Sequence, residues 1–299
     1  MKNLIKYFLI CLLGIIVVYC NEPAVTELVS ADSDEFDIEL LSPSTQNLVF
    51  TGYDTTGVVT PAPQFSVVIS LSGIKNTYQG AEINQSLMTA AFFDKNLPVY
   101  SHNGRLIGYR TRVLGRVRFG IDSANVRELR IRFRENGFIR DTLLGFQHIL
   151  YSGRNMHGQS QTFPYNSKVR FRLSPFLGNS VDFEIPTPPE VTGQLNTIGS
   201  VQNGNLQAEV IWNGLPSGRI EIVLGGILKS RTDILPLYRL TTKDDGKLVI
   251  PASLLKNIPF NLFDGLVITL IRRYRSSDNS LQDHFIVSQS VHNIRIDIP

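Results

Sequence analysis

The residues with the clearest capacity for chemistry are arginines that alternate with apolar residues. In the segment 126–135, Arg130, Arg132 and Arg134 share one parity and apolar residues occupy the other. A period of two predicts a strand with one buried and one solvated face. Guanidinium groups bind carboxylate and phosphate groups through paired hydrogen bonds. A row of arginines on the solvated face therefore indicates a candidate site for an acidic ligand.

Arg116 and Arg118 extend this pattern in the preceding segment, 105–120. We predict that their strand lies beside the strand of Arg130, Arg132 and Arg134, so that all five form one basic sheet face. The ligands that fit such a face are an acidic glycan, a phosphate-bearing polymer or an acidic protein. The alternative is that the arginines are only the solvated side of an antiparallel sheet, paired with acids across the strands.

The sequence lacks the local patterns of common catalytic and metal sites. Its five histidines form no His-Glu-x-x-His arrangement, and there is neither a Gly-x-Ser-x-Gly elbow nor a glycine-rich phosphate loop. The two cysteines, Cys11 and Cys20, both lie near the N-terminus, so the body has no thiol nucleophile or cysteine-ligated metal. We expect a non-catalytic protein without a cofactor. The alternative is a carbohydrate hydrolase whose two carboxylates lie far apart in the sequence.

Two further segments have ligand-binding side chains. The loop 151–166 contains four of different chemistry, namely Arg154, His157, Ser160 and Tyr165. They are candidates for a ligand site, although a solvated loop between strands is the simpler interpretation. The acidic segments 32–37 and 244–245 lack the alternating spacing of a calcium loop, and a tether and a turn explain them better.

The N-terminal segment has the pattern of an export signal. Lys2 and Lys6 precede an uncharged apolar run over residues 7–20. A transmembrane helix needs about 20 apolar residues, whereas the apolar region of a signal peptide needs about 7–15. The length of the run therefore favours a signal peptide over a membrane span.

Cys20 ends this run, with the aliphatic Val17 three residues before it. The segment resembles the signal of bacterial lipoproteins. That resemblance implies cleavage after residue 19, a lipid on the thiol of Cys20, and anchoring in the outer membrane, on its periplasmic or its surface side. Tyr19 stands where the pattern has Gly or Ala, which leaves open an ordinary cleavage site or an uncleaved anchor. Residues 20–35, rich in acids and without a basic residue, are expected to be a tether.

The length, composition and charge of the chain limit the number of domains and the classes of partner that can be expected. The chain has 299 residues, 42% of them hydrophobic, which is enough for one large or two ordinary domains. The formal charge of +3 includes Lys2 and Lys6, so removal of the signal leaves a nearly neutral body. Neutrality, and the few aromatic residues interleaved with the arginines, argue against nucleic acid as a partner.

Short alternating segments separated by turn residues predict an all-β fold from residue 36 onward. Pro188 and Pro189 interrupt the series, because proline cannot donate to a sheet. We predict two tandem antiparallel β-sandwich domains, 36–188 and 189–299, the second immunoglobulin-like or fibronectin-type with Trp212 in its core. The Asp-Gly pair at 245–246 predicts a hairpin. A tethered chain of such modules is expected to serve in binding, adhesion or structure at the cell envelope.

Overall fold

The protein is built almost wholly from β-strands. The structure is a computed structural model that describes residues 36–40, 65–104, 106–135, 138–152, 162–229, 234–275 and 283–298. The strands within these ranges are, in chain order, β1 (Phe36–Leu40), β2 (Val67–Tyr78), β3 (Ala81–Tyr100), β4 (Leu106–Thr111), β5 (Gly115–Phe119), β6 (Asp122–Ser123), β7 (Asn125–Glu135), β8 (Phe138–Ser152), β9 (Lys168–Pro175), β10 (Val181–Pro186), β11 (Gly193–Ile198), β12 (Gln207–Trp212), β13 (Arg219–Leu228), β14 (Ile234–Lys243), β15 (Lys247–Ile250), β16 (Phe263–Arg275) and β17 (His284–Asp297). One helical turn, α1 (Ala252–Leu255), and a 3₁₀ turn at Phe260–Leu262 are the other regular elements in these ranges. The prediction of an all-β fold is confirmed.

A ten-stranded sheet forms one layer of the molecule. Its strand order is β1-β14-β13-β16-β17-β2-β3-β8-β7, and β4 pairs with β3 outside this path. Strand β17 pairs with β2 in parallel, from His284 opposite Val67 to Arg295 opposite Tyr78. This pair joins strands from both sides of Pro189 in one sheet. Two separate tandem sandwich domains are therefore not confirmed.

Two small sheets form the second layer, and each has its own hydrophobic core. The four-stranded sheet β10-β9-β5-β6 packs its apolar face against β2 and β3, and the three-stranded sheet β11-β12-β15 packs against β13 and β16. Trp212 on β12 is 5% exposed and lies in the second of these cores, as the sequence predicted. In each half of the chain a small sheet thus packs on the long sheet, which is common to both halves.

The proline-rich segment between β10 and β11 is bound to the long sheet. Thr187 and Val191 are 2% and 0% exposed. The backbone N–H of Val191 donates to Ser290 Oγ at 2.8 Å, and the N–H of Gly193 donates to His292 Nδ1 at 2.9 Å. The segment therefore follows β17, with side chains of that strand serving as its hydrogen-bond partners.

Candidate binding surface

The outer face of the four-stranded sheet carries a concentration of cationic side chains. Alternate residues of β5 and β9, such as Val117 and Phe171, are buried in the core against the long sheet. The residues between them must point outward, because side chains alternate along a strand. The outward cations are Arg116, Arg118, Lys168, Arg170 and Arg172.

Strand register places these cations side by side. Arg118 lies opposite Arg172 across the β5–β9 pair. On the other side of β9, Asp182 of β10 lies opposite Arg172, and Glu184 lies opposite Arg170. We call the outer surface formed by these five cations and two carboxylates the basic face. It has an excess of three positive charges.

The carboxylates pair with the cations on the β10 side of the basic face and leave one positive charge there uncompensated. Arg170 donates Nε and Nη2 to the two oxygens of Asp182, both at 2.7 Å, and Arg172 donates to Asp182 Oδ2 at 2.8 and 2.9 Å. Hydrogen bonds first from Arg170 and then from Arg172 lower the pKa of Asp182 to about 2. Lys168 Nζ donates to Glu184 Oε2 at 3.0 Å. This part of the surface is therefore an ordinary cross-strand ion network.

Arg116 and Arg118 differ from the other cations of the basic face. Both are exposed, and within the described ranges neither has an ion pair or a side-chain hydrogen bond. Two positions apart on one strand, they are spaced by about 7 Å. An arginine pair of this kind can bind two neighbouring anionic groups, because each guanidinium presents several donors in a fixed plane.

The other three predicted arginines lie in a different sheet. Arg130, Arg132 and Arg134 are on β7, an edge strand of the ten-stranded sheet. Arg130 Nε donates to Glu128 Oε2 at 2.8 Å, and the backbone of Arg132 lies opposite that of Asp141. The structure therefore does not place β7 beside β5. The neighbours of Arg116 and Arg118 are the arginines of β9, whose alternation in 168–174 could have identified them.

The loop candidate is only partly described, because Arg154, His157 and Ser160 lie outside the described residues. Tyr165 packs edge-to-face on Phe163, with ring centroids 4.8 Å apart, at the margin of the core. Burial, and secondarily the charge of Glu190, raises the pKa of Tyr165 to about 12. This phenol is a packing residue of the core margin.

A cavity of about 250 Å³ lies beside α1. Its wall is mainly apolar and includes Val201, Leu206, Ala252, Leu255, Ile258 and Phe260. No carboxylate lines this cavity. The described residues also contain no group of three or more His, Cys, Asp or Glu side chains that could hold a metal ion. Paired carboxylates of the kind that glycoside hydrolysis needs are therefore absent from this cavity.

No family model matches this chain. No curated protein matches it either. Among solved structures, the yeast delta-COP-I mu-homology domain aligns with 78% of this chain and 96% of its own at 8% identity, with a TM-score of 0.24. That likeness carries no argument about fold or function. Cys20 lies outside the described residues, and within them no helix is long and apolar enough to cross a bilayer.

Proposed function

We propose that this protein is a non-catalytic lipoprotein of the bacterial cell envelope that binds polyanionic ligands through its basic face. A lipid on Cys20 anchors it in the outer membrane, and residues 20–35 act as a tether. The ligand class is an acidic glycan, lipopolysaccharide phosphate, or an acidic envelope protein. The role is binding, adhesion or assembly, without a cofactor.

The observation that carries this proposal is the unpaired state of Arg116 and Arg118. Arg170 and Arg172 are both ion-paired with Asp182 across the strands. Arg116 and Arg118 on β5 are exposed and have no ion pair within the described ranges. Unpaired cations at the solvent surface remain available for a charged ligand.

The proposal includes two sandwich units that share the long sheet, the second immunoglobulin-like in its layering. The separate hydrophobic cores of the two halves and the buried Trp212 support this organisation. A shared sheet supplies a rigid base for the basic face. Rigidity favours binding, because less conformational freedom is lost when a ligand is bound.

The experiment is retention of the full chain on immobilised heparin and on immobilised lipopolysaccharide over a salt gradient. The Arg116→Gln/Arg118→Gln variant is compared with Arg127→Gln/Arg219→Gln, which removes the same charge from other exposed positions. A cation near an anionic surface contributes about 1 kcal/mol. We expect the first variant to bind about 10- to 30-fold more weakly at low salt, and the control to bind nearly like the parent.

Equal weakening of both variants would mean that only net charge matters, and it would remove the basic face from the proposal. The lipid anchor has its own test, which is the intact mass and membrane partitioning of the native protein beside Cys20→Ala. A mature chain that begins at Cys20 with added acyl mass supports the anchor. An unlipidated soluble chain would contradict it.

A further inference from the structure

An apolar tip projects from one end of the four-stranded sheet. The loop between β9 and β10 exposes Phe176 and Leu177, whose exposed fractions are 71% and 91%. Gly178, at a φ of 95°, turns the chain directly after them. Leu114, 40% exposed, joins the tip because its carbonyl accepts the N–H of Phe176 at 2.8 Å. We call these three residues, Leu114, Phe176 and Leu177, the apolar tip.

Close backbone approach holds the two parts of the tip together. Gly115 lies opposite Pro175, and a Cβ on this glycine would lie 2.1 Å from the carbonyl oxygen of Ser174. Only glycine lets β5 come this close to β9. Glycine at position 115 therefore allows Leu114 to lie beside Phe176.

The tip adjoins the unpaired side of the basic face. Arg116 follows Gly115 directly on β5, and Arg118 lies two residues further. At about 3.3 Å per residue, the two arginines lie roughly 7 Å and 13 Å from Leu114 along the strand. The acids of the basic face, Asp182 and Glu184, are on β10, with β9 between them and β5. Along β5, the apolar tip is therefore followed by the two unpaired cations, Arg116 and Arg118.

Exposed apolar side chains beside cations match the chemistry of an anionic lipid surface. Interfacial segments bury their apolar side chains about 5–10 Å into the boundary between headgroups and acyl chains, and neighbouring cations attract anionic headgroups. A soluble acidic glycan or peptide would satisfy the arginines and leave Phe176 and Leu177 in water. We infer that the apolar tip inserts into an anionic lipid surface while Arg116 and Arg118 bind its headgroup phosphates. This inference rests on the proposed function, since it uses the same arginines.

The test is co-sedimentation with vesicles of phosphatidylethanolamine containing 30% phosphatidylglycerol, and with vesicles of phosphatidylcholine alone. All proteins are the mature chain, residues 20–299, with Cys20→Ala, so that neither the apolar signal nor an attached lipid contributes. The tip variant is Phe176→Ser/Leu177→Ser. The matched control is Ile121→Ser, since Ile121 is 88% exposed at the other end of β5.

We expect the parent and Ile121→Ser to bind the anionic vesicles and to bind phosphatidylcholine weakly. The tip variant should lose about tenfold or more in vesicle affinity while its retention on heparin is unchanged. Vesicle binding by the tip variant equal to that of the parent would overturn the inference and leave the proposed function standing. Retention of Arg116→Gln/Arg118→Gln on heparin at the parental salt concentration would instead overturn the proposed function.

Discussion

Arg272 and Asp244 form a buried ion pair that fastens the long sheet to the turn between β14 and β15. Arg272 Nε lies 2.6 Å from Asp244 Oδ2, and the two side chains are 2% and 1% exposed. Asp244 Oδ1 also accepts the indole N–H of Trp212 at 2.8 Å. The guanidinium donates further to the carbonyls of Asn213 at 2.8 Å and Glu190 at 3.0 Å. Both charges are therefore satisfied by several partners, as burial requires.

Removal of either partner should be severely destabilising. Arg272→Ala leaves the Asp244 carboxylate buried without its cation, which typically costs about 3–5 kcal/mol. The exposed pair of Arg219 and Asp37 is the matched control, and Arg219→Ala should change the free energy of unfolding by less than about 1 kcal/mol. Urea denaturation measures the free energy of unfolding of both variants. Similar small losses in the two would contradict a structural role for the buried pair.

His292 should make the protein less stable as the pH falls. Its Nδ1 accepts the N–H of Gly193, and its Nε2 lies 2.8 Å from Thr77 Oγ1, an arrangement that requires the neutral ring. Burial first, and then the charge of Lys75, lowers its pKa to about 4. The unfolded-state pKa is about 6.5. The stabilisation is therefore fully present above about pH 6.5 and is lost as the pH falls through 4, by about 3 kcal/mol in total.

Denaturation midpoints between pH 4 and 7 test this assignment. His292→Gln should flatten the pH dependence, and His102→Gln, on an exposed turn, should leave it intact. His148 is also buried, and burial lowers its pKa in the same direction, so some dependence should persist in His292→Gln. If His292→Gln had the same pH profile as the parent, the pH dependence of stability would arise from a residue other than His292.

Asp182→Asn should strengthen binding to polyanions. The substitution keeps the shape of the side chain and removes the carboxylate that Arg170 and Arg172 share, so the basic face gains one positive charge and two less constrained guanidinium groups. Elution from immobilised heparin should move to higher salt. Glu209→Gln is the control, because Glu209 pairs with Lys247 on the three-stranded sheet, away from the basic face. An equal shift in the control would argue for net charge alone.

Limited proteolysis should spare the proline-rich segment between β10 and β11. Its backbone is bound to Ser290 and His292, and Thr187 and Val191 are buried, so a protease cannot bind it in extended form without local unfolding. We expect a resistant product that spans residue 189, identified by intact mass. Ser290→Ala removes one of these hydrogen bonds and should raise the cleavage rate there. Early cleavage of the parent at 186–193 into two stable fragments would show that the segment is an open linker.

Period-two alternation predicted the outward arginines of β5, because alternation is a local property of a strand. It did not predict their neighbours. The arginines of β7 and β9 have the same local pattern, and only the long-range strand order places β9, not β7, beside Arg116 and Arg118. Strand order depends on packing between distant segments, which local patterning does not encode.

At the Asp-Gly pair 245–246, too, the local pattern did not predict which strands pair. Its turn chemistry is real, since Gly246 adopts a φ of 100°. The predicted hairpin is nevertheless wrong, because β14 pairs with β13 in the long sheet and β15 pairs with β12 in the three-stranded sheet. Asp244 is held by Arg272, so the turn becomes a corner between layers. The pairing of β15 therefore depends on a tertiary contact of Asp244 with Arg272, 28 positions along the chain, and not on the local turn.

The parallel pair of β17 and β2 has a consequence for how the chain acquires its fold. Its paired residues are separated by 217 positions, so β2 keeps an open edge until residues 284–297 have been synthesised. Contacts of such long range make folding slow and leave the incomplete chain prone to association through that edge. A chaperone that covers unpaired strands would protect this protein most while its last strand is still missing.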